Sequence, residues 1–258
     1  MNRLSRAFED KKAFIVFITG GDPDIETTEK LIIAMAQSGV DIIEIGIPFS
    51  DPVAEGLVIQ QASERALLRG CTVDDLFGMV KRVREKVEIP LLFMTYMNPV
   101  FVYGKERFMQ KCAECGIDGV IIPDLPFEEK DEIASECGKY GIAQISMIAP
   151  TSGDRIEAIA KDAEGFLYCV SSLGVTGVRS SLNTNITDII RQVRGVSSIP
   201  CAVGFGISTA KQAHELADVS DGVIIGSAVV KLVAEHGKDC IEPVKQYVTE
   251  IKNAIKKE

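Results

Sequence analysis

Eight short apolar, β-rich runs recur along the chain, each separated from the next by a stretch of helical character. They are Phe14–Thr19, Asp41–Ile47, Pro90–Tyr96, Gly119–Pro123, Ala143–Ala149, Gly165–Val170, Pro200–Phe205 and Gly222–Ile225. Most are near-continuous in hydrophobicity, the pattern of parallel strands covered by helices. Between them, Thr27–Ser38 places Leu31, Ile32, Met35 and Ala36 on one stripe, and Thr72–Val87 carries Leu76, Met79, Val80 and Val83. Pro126–Tyr140 opens with a proline and an acidic first turn, and Gly39, Gly116 and Gly141 stand where helix C-caps belong. Over 258 residues the repeat is about 32 residues, the spacing of a (β/α)8 TIM barrel. A doubly wound open sheet is the alternative, weakened by the lack of a GxGxxG fingerprint. No low-complexity linker or composition break intervenes, so residues 1–258 are expected to form a single (β/α)8 barrel domain.

Charge and composition exclude several functions. Lys and Arg number 28 against 37 Asp and Glu, a net charge of −9. A nucleic-acid or anionic-membrane surface needs a basic face, so neither partner is expected. A small anionic ligand remains possible, because a few backbone N–H groups can hold a phosphate whatever the net charge. No apolar run approaches the ~20 residues of a membrane span, and no signal-type segment follows the first charged residues. Seven scattered cysteines, an odd number, read as reduced thiols in a cytoplasmic protein. Cys112 and Cys115 form a CxxC without a second pair at zinc spacing, which reads as structural.

The ends of the strands limit the chemistry. No lysine stands there, which disfavours a Schiff base. The two histidines, His214 and His236, fall in helical stretches, so neither a His-based metal site nor a Ser-His triad is expected. Carboxylates, hydroxyls and glycines remain, the materials of general acid–base catalysis without metal or cofactor. In Asp41-Ile-Ile-Glu-Ile-Gly-Ile47, alternation puts Glu44 and Gly46 on one face and three isoleucines on the other. The isoleucines should meet the helices, so Glu44 should point into the barrel. There it is either a proton carrier with a raised pKa or a glutamate paired for structural reasons.

The connection after the second run is nearly twice the usual length and begins Pro48-Phe-Ser-Asp-Pro-Val-Ala-Glu-Gly56. Barrel active sites sit on loops after strands, and two prolines restrict this loop, so Glu55 and Asp51 are either aimed or simply solvated. Asp22 and Asp124 read as turn or cap residues. Glycine-rich turns follow three late strands, Gly174–Gly177, Gly204–Ser208 and Gly226–Ser227. Each could be a plain tight turn. Together they point to a phosphorylated ligand.

The stretch Glu44-Ile-Gly-Ile-Pro-Phe-Ser-Asp-Pro-Val-Ala-Glu-Gly56 closely resembles the signature of the tryptophan synthase alpha chain family. So do Phe17-Ile-Thr-Gly-Gly-Asp-Pro23, Tyr96-Met-Asn98, Ile122-Pro-Asp-Leu-Pro126, Gly174-Val-Thr-Gly-Val-Arg179, Gly204-Phe-Gly-Ile207 and Gly226-Ser227. The resemblance covers essentially the whole chain. It implies a (β/α)8 barrel that cleaves indole-3-glycerol phosphate to indole and glyceraldehyde 3-phosphate. It also implies a partner, a pyridoxal-phosphate beta chain that receives the indole and makes L-tryptophan in an alpha-beta-beta-alpha heterotetramer.

By the same resemblance, Glu44 is the acid/base that protonates the indole ring carbon, Glu55 the carboxylate at the indole N–H, and Tyr168 a tyrosine beside the substrate. Phe17, Met94, Tyr96, Ile121, Pro123 and Ile148 match the indole pocket walls. Thr176 matches a mobile-loop threonine that orders the second carboxylate. Gly177, Gly206, Gly226 and Ser227 match the phosphate site, and Pro52, Asn98 and Phe101 the partner surface. Two departures stand out. Glu55 occupies a position often held by Asp, and Leu57 one where proline is common. Two other readings remain. One is a related phosphate-binding barrel such as indole-glycerol-phosphate synthase, which needs strand-end lysines this chain lacks. The other is a subunit that only binds ligand and activates its partner.

Overall fold

The computed structural model describes residues 2–170, 182–204 and 206–256. Among these, nine strands form one sheet: β1 Ala13–Thr19, β2 Ile42–Gly46, β3 Leu91–Met94, β4 Gly119–Ile121, β5 Ala143–Gln144, β6 Met147–Ile148, β7 Leu167–Val170, β8 Cys201–Gly204 and β9 Gly222–Ile225. Their order is β5-β4-β3-β2-β1-β9-β8-β7-β6, and every pairing is parallel. The two ends of that order are two pieces of one expected strand. Ala143–Ala149 bends in its middle, so that Ile145 N–H donates to Val120 O at 2.9 Å on one side while Tyr168 N–H donates to Ser146 O at 3.0 Å on the other. Nine segments thus fill eight barrel positions, and the fold is a (β/α)8 TIM barrel.

Strand alternation sorts the side chains into two layers. Phe14, Val16 and Ile18 of β1, Ile43 and Ile45 of β2, and Phe93 of β3 face outward into the main core beneath the helices. Ile15, Ile42, Leu92, Ile121, Tyr168, Ala202 and Ile224 fill the barrel interior. The helices that cover the outer layer carry the expected signals. The helix Val73–Arg84 starts in a Thr72–Asp75 capping box and buries Leu76, Met79, Val80 and Val83; such a cap contributes about 1 kcal/mol. The expected helix at Pro126–Tyr140 begins as a 3-10 turn, Phe127–Glu129, before the α-helix Asp131–Tyr140.

Two helices occupy stretches the sequence pattern left as connection. Leu57–Leu68 follows the long Pro48–Gly56 loop, and Met97–Tyr103 follows β3. Asp124 caps the second of these by accepting from Met97 N–H at 3.0 Å, in line with its reading as a cap residue. All seven cysteines are free, with Cys112 and Cys115 buried in helix packing.

At the N-terminal end of the strands an aspartate device repeats. Asp41, Asp118 and Asp221 each stand immediately before a strand and accept from a backbone N–H of the neighbouring strand: Phe14 at 2.8 Å, Leu91 at 3.0 Å and Cys201 at 2.9 Å. Each also holds cations. Asp41 pairs with Lys11 and Lys252, Asp118 with Arg84 and Arg3, and Asp221 with Arg194. These carboxylates fix strand register at the closed end of the barrel.

Candidate active site

The opposite end of the barrel opens into a cavity of about 940 Å³. Its floor and walls come from strand ends and the loops beyond them. Phe17, Glu55, Met94, Pro123, Tyr168, Gly206, Gly226 and Ser227 all line it. Residues scattered over more than 200 positions of sequence therefore converge on one space.

Glu44 lies at mid-height in β2, in register with Phe17 of β1 and Leu92 of β3. Its side chain points inward, as alternation required, and is 0% exposed. Neither carboxyl oxygen has a hydrogen-bond partner among the described residues. Burial alone pushes its pKa up to about 8, so the carboxyl is protonated at neutral pH. Tyr168 sits close by: burial, and then the nearby Glu44 carboxyl, hold its phenol well above the ordinary value. The ring fits because position 204 on β8 is glycine. A Cβ there would lie 2.7 Å from the Tyr168 hydroxyl.

Glu55 reaches the cavity from the Pro48–Gly56 loop. Burial raises its pKa to about 7, opposed by a hydrogen bond from the Tyr96 phenol. Tyr96 is itself buried and does not line the cavity. Its hydroxyl also accepts from Ala54 N–H at 3.1 Å, and its ring packs against Phe49 with centroids 5.3 Å apart. The phenol thus holds the loop at Ala54, next to Glu55. The Glu55 Oε2 atom is buried without a hydrogen-bond partner among the described residues. Asp51, weighed with Glu55 on sequence, is exposed and accepts from the hydroxyl of its neighbour Ser50.

The glycine-rich side offers backbone N–H groups at two helix starts, and they differ. At Ala210–Val219, the capping box of Thr209 and Gln212 already occupies the free donors, and Gln212 Oε1 also accepts from Ser208 N–H at 3.0 Å. At Ser227–His236, Gly226 provides no side-chain cap. The second helix therefore presents unsatisfied N–H groups and its positive dipole end to the cavity. Arg155 and Lys130 also line the cavity, but they are engaged with Glu128 and Asp162.

Three expected wall residues do not line the cavity: Tyr96, described above, Ile148 and Ile121. Ile148 is on the outward face of β6, in the core beneath the helices and in register with Cys169. Its neighbours Met147 and Ala149 line the cavity instead. The bend between β5 and β6 does not change alternation within β6, so assigning Met147 to the face of Tyr168, with which it is in register, would have found it. Ile121 does point inward, in register with Met94, but like Glu44 it is packed within the barrel and is not part of the cavity lining. Thr176 and Gly177 lie outside the described residues. Pro52 is half-buried on the loop, and Asn98 and Phe101 lie on the Met97–Tyr103 helix, both exposed.

A family model described as "Tryptophan synthase alpha chain" matches residues 4–257. The chain belongs to the tryptophan synthase alpha chain family. Relatives of that name include one from Alkaliphilus metalliredigens, 48% identical over 253 residues, covering 97% of this chain and 95% of the relative. Another, from Thermoanaerobacter sp. (strain X514), is 45% identical over 262 residues, covering 99% of this chain and all of its own length. Among solved structures, tryptophan synthase subunit alpha from Legionella pneumophila superposes with a TM-score of 0.89 at 37% identity, covering 99% and 98% of the two chains. A chain of Mycobacterium tuberculosis tryptophan synthase gives 0.91 at 32% identity, covering 100% and 99%. As a tryptophan synthase alpha chain the protein is a lyase that acts on indole-3-glycerol phosphate, and its product indole passes to a beta chain.

Proposed function

We propose that Glu44 and Glu55 divide the retro-aldol cleavage of indole-3-glycerol phosphate between them. The aryl–carbon bond breaks only after the ring carbon bearing the side chain has gained a proton. Glu44, protonated at neutral pH and buried without a hydrogen-bond partner among the described residues, supplies it. Positive charge then develops towards the ring nitrogen, where the Glu55 carboxylate accepts the N–H and stabilises that charge. The hydroxyl on the adjacent side-chain carbon loses its proton to the emptied Glu44 carboxylate. The carbon–carbon bond pair returns to the ring, releasing indole and glyceraldehyde 3-phosphate. One proton enters at the ring and one leaves the hydroxyl, so Glu44 ends as it began. Tyr168 packs beside the reacting centre, and Phe17, Met94 and Pro123 supply the apolar walls a planar indole requires.

The phosphate end of the substrate belongs at Gly206, Gly226 and Ser227, where the uncapped Ser227–His236 helix presents its N–H groups. Indole is neutral and would diffuse away from an open cavity, so the partner seals the strand-end face. Val53 and Leu57 beside the loop, with Phe101 and Val102 on the Met97–Tyr103 helix, are 67–79% exposed apolar side chains on that face. They suit burial under a beta chain that carries pyridoxal phosphate, in an alpha-beta-beta-alpha assembly. We further read residues 1–258 as one domain working in the cytoplasm; no described helix is long and apolar enough to cross a membrane.

The unpartnered, fully buried Glu44 carboxyl carries this reading. The full chain mixed with beta chain and given indole-3-glycerol phosphate should release indole, and Glu44→Gln should lower that turnover by about 10²–10⁴-fold while glycerol phosphate still binds. Retention of more than about a tenth of the turnover would remove Glu44 from the proton-transfer role.

A further inference from the structure

The Leu57–Leu68 helix begins two residues after Glu55, and the two are mechanically joined. Gly56 O accepts from the N–H groups of Ile59 and Gln60 at 3.0 and 3.1 Å. The Gln60 side-chain amide turns back and donates to Glu55 O at 2.7 Å. The position of Glu55 therefore follows the position of this helix. Yet few large side chains seat this helix: its buried residues are Ala62, Ser63 and Ala66, and Val58 and Ile59 are only partly buried against the cluster of Phe17, Ala62 and Val230, so its apolar anchoring is modest. Its first residue is capped by a glycine that offers no side-chain bond.

A specific polar tether exists at the other end. Arg65 donates through Nε to Asp22 Oδ1 at 2.9 Å and through Nη2 to Asp22 Oδ2 at 2.7 Å. This is a two-point pairing that fixes orientation as well as distance. The Asp22 side chain is only 2% exposed, so losing its partner would strand a buried charge. Asp22 belongs to the turn that leaves β1, the strand carrying Phe17 into the cavity. The same turn is shaped to receive the helix end. A Cβ on Gly21 would lie 2.5 Å from Cys71 Sγ and 3.6 Å from Ala66 Cβ, and Gly21 has φ +80°, so only glycine lets the helix end settle there.

We infer that Asp22 and Arg65 form a positioning pair for the reaction. By pinning the far end of the Leu57–Leu68 helix to the end of β1, they hold Glu55 in register with the cavity. The inference rests on Glu55 serving as the second reacting carboxylate. Arg65 touches no substrate. It acts along about eight helical steps from Leu57, roughly 12 Å at 1.5 Å per residue. Misplacement of a reacting group by about 1 Å can cost up to about 10²-fold in rate.

A double-mutant cycle on indole release, run with the full chain and beta chain, separates positioning from plain support. Arg65→Lys keeps the charge but removes the two-point geometry; it should lower kcat about 10-fold while KM, set mainly at the phosphate end, moves less than about 2-fold. In a Glu55→Gln background the same change should add less than about 2-fold, because the group it positions is already disabled. Asp22→Asn enters the same cycle with the same expectation, and replaces Arg65→Lys should that variant be insoluble. Full additivity of the two losses, or an Arg65→Lys effect confined to KM, overturns the inference and leaves the role of Glu55 standing. Wild-type turnover in Glu55→Gln alone overturns the reading of Glu55, and this inference with it.

Discussion

The two ends of the barrel treat their carboxylates in opposite ways. At the N-terminal end, Asp41, Asp118 and Asp221 each accept from a strand N–H and hold at least one cation. At the C-terminal end, Glu44 has no hydrogen-bond partner among the described residues and Glu55 has one free oxygen. The same functional group is a fastening in one place and a reagent in the other, and its surroundings decide which. Paired and hydrogen-bonded, a carboxylate holds neighbouring elements together. Buried and unpaired, it holds its proton up to neutral pH, at a cost in stability that only function explains.

This contrast can be broken from either side. The largest effect on stability is expected at the fastened end. Asp118→Ala leaves Arg84 and Arg3 without their shared carboxylate and Leu91 N–H without its acceptor, and should cost about 3 kcal/mol in denaturant unfolding. Turnover per folded molecule should be unchanged. At the reactive end the sign reverses. Both Glu44 and Glu55 have folded pKa values, about 8 and about 7, above the ordinary 4.5. Their contribution to stability is greatest below the unfolded value and is lost as pH rises through the folded one. Glu44→Gln removes that loss for one group. Its melting temperature relative to the unsubstituted chain should therefore rise progressively between about pH 5 and pH 9; a constant difference would mean that Glu44 is not held protonated.

The same two values set the activity profile. The competent form has Glu44 protonated and Glu55 ionised, so kcat/KM should peak between about 7 and about 8 and fall towards tenfold per pH unit on each side. Loss of the alkaline limb in Glu44→Gln, measured on its residual activity, would assign that limb. The smallest effect is expected from Glu55→Asp. It shortens the reach by about 1.3 Å, keeps the charge, and should cost less than about 10-fold in kcat, against a larger loss in Glu55→Gln.

Much of this was legible in the sequence because it is written in short-range periodicity. Alternation in Asp41–Ile47 was enough to turn Glu44 inward. The ~32-residue repeat was enough to give the barrel. What escaped was of three kinds. The Leu57–Leu68 helix has no strong apolar stripe, since it buries Ala62, Ser63 and Ala66, and so it gave no periodic signal. Ile148 was placed on the wrong face because a resemblance was followed where the alternation shared by Met147 and Tyr168 pointed the other way. The partners of Asp22 and of the three N-terminal-end aspartates lie up to 211 residues away in sequence, and no local pattern encodes them. Asp22 read as a turn residue, and it is one, but its carboxylate does its work on another element.

The bend in the fifth strand makes the ring unequal around its circumference. β1 and β2 are joined from Ile15–Ile42 to Thr19–Gly46, whereas the closing segments meet their neighbours only at Gly119–Ala143 and Val120–Gln144 on one side and at Met147–Tyr168 and Ile148–Cys169 on the other. The barrel resembles a stiff hoop fastened by a short clasp. Ile145, Ser146 and Met147, the residues of that clasp, also line the cavity. The ladders flanking Glu44 are longer, five residue pairs between β1 and β2 and four between β2 and β3, so local opening is expected at the short clasp in the cavity wall before it reaches the strand of the proton donor.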